Sequence, residues 1–178
     1  IELASPAAPA PVEVASPDEP IPQPAPHEIA RLELLARLRK RLIDERCVAL
    51  VGLPGVGKTT LASAIAREFE ARQPVFWLTL TSGITTSADA ILLALANFLT
   101  GLGHDVLKPL TTRPIGAREE LPLERRVILI AQAIARQPLL ICIDNAELIR
   151  PDELTFQGLH HLMTTTSARF LFTSRESL

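Results

Sequence analysis

The sequence predicts an α/β fold with three layers, in which helices cover both faces of a mostly parallel sheet. Short apolar runs alternate along the chain with longer segments whose apolar residues recur at helical spacing. Within the stretch 47–60, a glycine-rich turn joins one apolar run to a helix, and the run at residues 139–143 ends in an acidic residue. Strands that alternate with helices are joined by right-handed crossovers and therefore lie parallel.

Length and composition are those of one globular domain, with 178 residues, 47% of them hydrophobic and 21% charged. The formal net charge of −2 gives no electrostatic reason to expect nucleic acid or an anionic membrane as a partner. No uncharged apolar run has the length of a membrane span, and residues 1–26 lack the pattern of a signal peptide. We expect a cytoplasmic protein. Because the chain begins at Ile1, we expect a fragment of a longer one.

Residues 1–26 are rich in proline and alanine. Proline lacks an N–H group and cannot continue a helix or a central strand, so we expect an extended, disordered linker to an upstream segment. The alternative is a proline-motif ligand, but no P-x-x-P with flanking basic residues is evident. The folded domain is then predicted at residues 27–178.

Each element is justified by periodicity or by a boundary residue. Leucines at helical spacing predict a helix over 28–44, and Ser87 is a candidate cap for a helix over 88–99. Residues 102–120 lack periodicity and predict a long surface loop. The segment 121–136 contains a run typical of a strand, but its length and alanine content favour a helix. The other predicted elements are strands at 47–51, 75–80, 139–143 and 169–173, and helices at 58–72 and 152–163.

The turn after the first predicted strand follows the phosphate-binding pattern G-x-x-x-x-G-K-[ST]. Glycines let successive N–H groups face one phosphate, and the following helix adds the positive end of its dipole. Lys58 is expected to contact the β- and γ-phosphates, and the Thr59 hydroxyl to hold Mg²⁺. A purely structural glycine turn is disfavoured because a strand precedes it and a helix follows. The predicted nucleotide contacts here are Gly52, Leu53, Pro54, Gly55, Val56, Gly57, Lys58, Thr59 and Thr60.

A second site is predicted where the strand at 139–143 ends in Asp144. Ligands of open α/β sheets bind at the carboxyl ends of the strands, so this carboxylate is placed to hold Mg²⁺ together with Thr59. Glu147 is the candidate base that polarises the attacking water. The alternative for Glu147 is a surface glutamate that opens the next segment.

The last predicted strand delivers Thr173, Ser174 and Arg175 to the same edge. The Thr173 hydroxyl is a candidate to sense the γ-phosphate, and the Arg175 guanidinium to pair with phosphate charge. Alone, this tripeptide is an ordinary way to leave a strand. Its place as the next strand after Asp144 favours the functional interpretation.

Three stretches together resemble the nucleotide motifs of the STAND NTPases, and in particular the bacterial relatives of the NB-ARC domain. They are GLPGVGKTTLA from Gly52, LLICIDNAEL from Leu139 and FLFTSRESL from Phe170. The resemblance covers about residues 28–178. It implies a regulatory switch that binds ATP or ADP with Mg²⁺, hydrolyses ATP slowly, forms a homo-oligomer when activated and controls an attached effector.

The resemblance also assigns residues. It implies that Lys58 contacts phosphate, Thr59 and Asp144 hold the metal, and Arg175 is the sensor arginine. Many relatives carry a second aspartate where this chain has Asn145, which leaves Glu147 as the candidate base. The upstream Gly-Arg-Glu element that helps to hold adenine is matched only in part, which makes Arg31 the candidate contact.

The family's strand order is implied as well. It is 2-3-4-1 for the four strands here, with the sensor strand between the phosphate-loop strand and the strand of Asp144. A fifth strand is expected to be missing from this chain, along with the sensor and effector domains.

Two other functions remain open at this stage. A nucleotide-binding scaffold with little turnover is favoured by Asn145. A small-molecule kinase with a phosphate loop would need a lid for its acceptor, for which the loop at 102–120 is the candidate, but that loop lacks an arginine cluster. The two cysteines, Cys47 and Cys142, are expected to be small buried residues in a reducing compartment.

Overall fold

The computed structural model describes residues 20–23, 32–111, 121–135, 137–149 and 153–176. Its strands are β1 (Cys47–Val51), β2 (Val75–Thr79), β3 (Leu140–Asp144) and β4 (Arg169–Ser174). Its helices are α1 (Leu32–Asp44), α2 (Lys58–Glu70), α3 (Ala88–Gly101), α4 (Lys108–Thr111), α5 (Leu123–Ile134) and α6 (Glu153–Thr165). None of the helices in these ranges is both long and apolar enough to cross a membrane.

The four strands form one parallel sheet in the order β1-β4-β3-β2. Read from the other edge, this is the predicted order 2-3-4-1, so the fold prediction is confirmed. The register pairs Val51 with Ser174 and Thr79 with Asp144, so the last residues of neighbouring strands lie side by side. The polar residues that end these strands are therefore brought to one edge of the sheet.

A separate apolar core lies on each face of the sheet. On one face, α3, α5 and α6 pack over β2, β3 and β4, and Phe170 is 1% exposed there. The prediction of a helix at 121–136 is confirmed, since Ile130 and Ile134, one turn apart on α5, are both fully buried in this core. On the other face, α1 and α2 pack over the sheet, with Leu42 and Ile65 fully buried.

The segment after α3 departs from the predicted surface loop. Residues Asp105–Leu107 form a 3₁₀ turn that leads into α4. Leu107 is 0% exposed in the core of α3 and α5, so burial of this one side chain explains why the segment is ordered. The loop prediction is wrong for these residues, and residues 112–120 lie outside the described ranges.

Part of the predicted linker packs on the domain. Ile21 is 8% exposed and belongs to the core between the sheet, α1 and α2. The Arg67 guanidinium donates hydrogen bonds to the carbonyl oxygens of Ile21 and Pro22, at 2.7 and 2.8 Å. Residues 1–19 and 24–26 of the predicted linker, as well as residues 28–31 of the predicted first helix, lie outside the described ranges.

The two cysteines differ in burial. Cys142 is buried in β3, but Cys47 is exposed, so the prediction that both are buried is wrong for Cys47. The reason is that β1 is the outer strand of the described sheet and pairs only with β4. Both thiols are free.

Candidate functional site

The phosphate loop has the curled backbone that its glycines predict. Gly55 and Gly57 have φ angles of 79° and 89°, in the left-handed region that side chains disfavour. Gly57 is the N-cap of α2, and its carbonyl oxygen accepts the N–H of Leu61 at 2.9 Å. The loop thus leads from the end of β1 directly into the first turn of α2, where unpaired N–H groups favour an anion.

The side chains of the loop differ in their contacts and exposure. The ammonium nitrogen of Lys58 folds back over the loop and donates to the carbonyl oxygens of Gly52 and Leu53, at 2.8 and 3.0 Å. In contrast, the Leu53 and Val56 side chains are 74% and 43% exposed. If these two residues contact phosphate, their main-chain groups must provide the contact.

Asp144 links three elements at the carboxyl edge of the sheet. Its carboxylate is 4% exposed and accepts the Thr59 hydroxyl at 2.9 and 3.2 Å on its two oxygens. It also accepts the Thr173 hydroxyl from β4. The backbone N–H of Asn145 donates to that Thr173 hydroxyl at 3.1 Å. Thr173, predicted to sense phosphate, is 2% exposed and here orients the carboxylate.

This arrangement fits Mg²⁺. The Thr59 hydroxyl and the Asp144 carboxylate already lie within hydrogen-bond distance, and hard oxygen ligands of these kinds suit this ion. Among the described residues, no group of three or more His, Cys, Asp or Glu side chains could hold a metal. One carboxylate is enough for Mg²⁺, because the ion keeps several waters and uses phosphate oxygens when nucleotide is present.

Glu147 and Arg175 meet directly, which the sequence did not indicate. Asn145 adopts a left-handed conformation with φ of 61°, and the chain then enters a 3₁₀ turn, Ala146–Leu148. The turn brings the Glu147 carboxylate to 3.1 Å from Nε of Arg175, whose backbone N–H also donates to it at 3.2 Å. The Glu147 side chain is only 14% exposed, whereas that of Arg175 is 60% exposed.

The other predicted contacts are placed as follows. The Thr60 carbonyl oxygen accepts the Ser63 hydroxyl at 2.9 Å within the first turn of α2. Arg31, the predicted adenine contact, lies outside the described residues. The carboxyl ends of the strands thus bring together the phosphate loop, Asp144, Glu147 and Arg175.

Comparison with protein families gives a match to the AAA domain over residues 41–178. This chain belongs to the AAA domain family. The match includes the phosphate loop, Asp144 and Arg175, so the domain is a P-loop NTPase of a nucleotide-binding ATPase family. Among curated protein sequences, no significant match was found.

Solved structures support the same fold. Cdc6p from Pyrobaculum aerophilum matches with a TM-score of 0.60 and 18% identity, over 89% of this chain and 41% of that one. Orc1 from Aeropyrum pernix, solved in complex with DNA, matches with a TM-score of 0.60 and 17% identity, over 88% and 41%. The Walker-type ATPase paby2304 of Pyrococcus abyssi matches with a TM-score of 0.52 and 15% identity, over 83% and 45%. This AAA domain spans less than half the length of each.

Proposed function

We propose that this AAA domain is the nucleotide-binding part of a regulatory switch of the NB-ARC-like STAND class, which binds ATP and ADP with Mg²⁺ and hydrolyses ATP slowly. The observation that carries the proposal is the hydrogen-bond network of Thr59, Asp144 and Thr173. It joins the phosphate loop to two strands, so that all three motifs belong to one site.

Each residue has a part in binding. The Lys58 ammonium, held by main-chain carbonyls at the loop, supplies the cation for the β- and γ-phosphates. Loop N–H groups and the start of α2 supply the remaining donors. Thr59 and Asp144 hold the metal, and Thr173 keeps the Asp144 carboxylate in one orientation. Bound Mg²⁺ supplies charge neutralisation at the phosphates.

Glu147 is proposed as the base. Arg175 orients its carboxylate through two contacts from one residue, the side-chain Nε and the backbone N–H. Because the Arg175 side chain is largely exposed, its guanidinium remains accessible to phosphate charge. Glu147 therefore acts on the attacking water, and Arg175 acts on the phosphate group that this water attacks.

The switch role rests on the likeness of the three motifs to the NB-ARC class. Nucleotide exchange then controls formation of a homo-oligomer and activity of an effector, with effector and sensor domains in other parts of a longer protein. DNA, which Orc1 of Aeropyrum pernix binds in its solved complex, is not favoured for this chain, since its net charge is −2.

A second candidate is a nucleotide-binding scaffold with little turnover. It is favoured by Asn145, which follows Asp144 where many relatives of the class carry a second carboxylate. Its amide nitrogen lies 3.4 Å from the carbonyl oxygen of Leu80, which is a long hydrogen bond.

Steady-state hydrolysis and binding assays on Glu147→Gln test the first function. We expect ATP affinity to be retained and kcat to fall by about 100-fold, as for loss of a general base. Glu70→Gln, at the exposed end of α2, is the matched control. Wild-type turnover in Glu147→Gln would exclude this base, and tight ATP binding without turnover in the unmodified chain would establish the scaffold.

A further inference from the structure

A cavity lies at the amino ends of the strands, whereas the phosphate loop lies at their carboxyl ends. It has a volume of about 470 Å³ and is bordered by the ends of α1 and α2, by Gln73 before β2 and by Arg169 at the start of β4. Since α2 has 13 residues, the cavity is about 20 Å from the phosphate loop along this helix. The two sites share no residue.

The lining of the cavity is basic. Arg39, Arg72 and Arg169 contribute three guanidinium groups, against the single carboxylate of Glu68. Glu68 lies 3.4 Å from Arg39, with both side chains more than 40% exposed, so this pair is weak. Within the described ranges, the guanidinium of Arg72 has no hydrogen-bond or ion-pair partner. The cavity therefore carries a local excess of positive charge.

Two buried donors of the lining also lack acceptors. These are Nε of Arg169 and Nε2 of Gln73. The two side chains contact each other, but the Arg169 Nη1 to Gln73 Oε1 distance is 3.4 Å, which is long for such a bond. A buried N–H group without a partner destabilises the folded state, because it has lost its hydrogen bond to water. Both side chains would gain from oxygen acceptors, and they lose little by turning toward them.

An apolar surface adjoins these donors. The Phe69 ring lies beneath Arg169, 5.9 Å from ring centroid to guanidinium carbon, and Ile43 borders the cavity with 49% of its surface exposed. The carboxyl end of a helix normally repels anions. Here this repulsion is reduced, because the Phe69 carbonyl oxygen already accepts hydrogen bonds from the N–H groups of Arg72 and Gln73, at 2.8 and 3.0 Å.

We propose that this cavity binds a small organic anion that carries a carboxylate or a phosphate on an apolar body. The anionic oxygens pair with Arg72 and Arg169 and accept from Gln73, and the apolar body packs on the exposed side chain of Ile43, next to Phe69, which is 9% exposed. A volume of about 470 Å³ suits a ligand of this size. The site is independent of nucleotide binding.

Amide NMR titrations of the full chain test the proposal, with Lys58→Ala present to silence the phosphate loop. The probes are benzoate, phenyl phosphate, inorganic phosphate and uncharged benzyl alcohol. We expect benzoate or phenyl phosphate to shift the signals of residues 69–73 and 169 with a Kd below about 10 mM. The arm that binds more tightly identifies the anionic group.

Arg72→Gln and Arg169→Gln should each weaken binding by about tenfold or more, because each removes a charge-assisted contact. Arg37→Gln, on the exposed side of α1, should leave it unchanged. Because Arg72 is exposed, its variant remains informative if Arg169→Gln fails to fold. The proposal would be overturned if Arg72→Gln bound the aromatic anions with unaltered affinity, or if the shifts were confined to residues 52–60. It would also be overturned if benzyl alcohol or inorganic phosphate bound as tightly as benzoate and phenyl phosphate.

Discussion

Buried polar side chains are hydrogen-bonded more completely at the carboxyl end of the sheet than at its amino end. At the carboxyl end, Asp144, Thr173 and Ser174 are at most 4% exposed, and each has a hydrogen-bond partner. At the amino end, Arg169 and Gln73 contact each other at 3.4 Å, and each leaves a buried nitrogen without an acceptor. At the carboxyl end, Asp144 and Thr173 bond each other across adjacent strands and Ser174 donates to the Glu176 carbonyl oxygen, whereas the longer side chains at the amino end leave donors unpaired.

The carboxyl end is organised by contacts within the protein, whereas the amino end keeps donors that are available to a ligand. Parallel strands in register hold the short polar residues at fixed spacing, so the hydrogen bonds of the carboxyl end are already formed in the folded chain. At the amino end, the chain supplies more donors than acceptors. Helix α2 connects the two ends, since it begins at the phosphate loop and ends at the arginine-lined cavity.

The largest effect is expected when the cation of the phosphate loop, at the carboxyl end of the sheet, is removed. Lys58→Ala should abolish measurable ATP and ADP binding, a loss of more than about 100-fold, because it removes the ammonium group from the phosphate loop. Isothermal calorimetry measures this loss. Lys40→Ala on α1, an exposed lysine paired with Asp44 at 2.6 Å, should bind like the wild type. Wild-type affinity in Lys58→Ala would refute the assignment of the loop.

A smaller effect is expected from loosening the segment held near the end of α2. Ile21→Ala should lower the free energy of unfolding by about 2 kcal/mol, because it leaves a void in the core of α1 and α2. Urea unfolding measures the change. Leu32→Ala, at a side chain that is 73% exposed, is the control.

The same variant sharpens the comparison of the two ends. If the ends are independent, ATP affinity of Ile21→Ala should stay within about twofold of the wild type. A large loss of affinity together with the loss of stability would show that the linker segment is coupled to the phosphate loop through α2.

The smallest effect concerns thiol reactivity. Cys47 is exposed at the start of β1, and partial burial of its thiol raises its pKa above the ordinary thiol value. It should therefore react with iodoacetamide at a rate that increases with pH. Burial, together with the nearby Asp144 charge, raises the pKa of Cys142, which should react only after unfolding. Mass spectrometry of labelled peptides decides between them. Equal labelling of both cysteines in the folded chain would contradict the burial of β3.

Local patterns were enough for most of the elements. The helix over α5 could be predicted from its length and alanine content, and the cap at Ser87 is confirmed, since its hydroxyl accepts the Ala90 N–H at 3.3 Å. Element ends moved by a few residues, as for α2, which ends at Glu70 rather than at 72. The order around residues 105–111 could not be predicted, because it depends on burial of Leu107 against distant helices.

The sequence by itself determined the alternation of strands and helices, the glycine loop before Lys58 and the acidic end of β3. These depend on local backbone preferences and on apolar spacing. Only the tertiary structure decided that Thr173 orients Asp144, that Arg175 pairs with Glu147, that Ile21 is buried and that three arginines meet at one cavity. Such contacts join residues far apart in the chain, so they depend on which strands are neighbours and on how the helices pack across them.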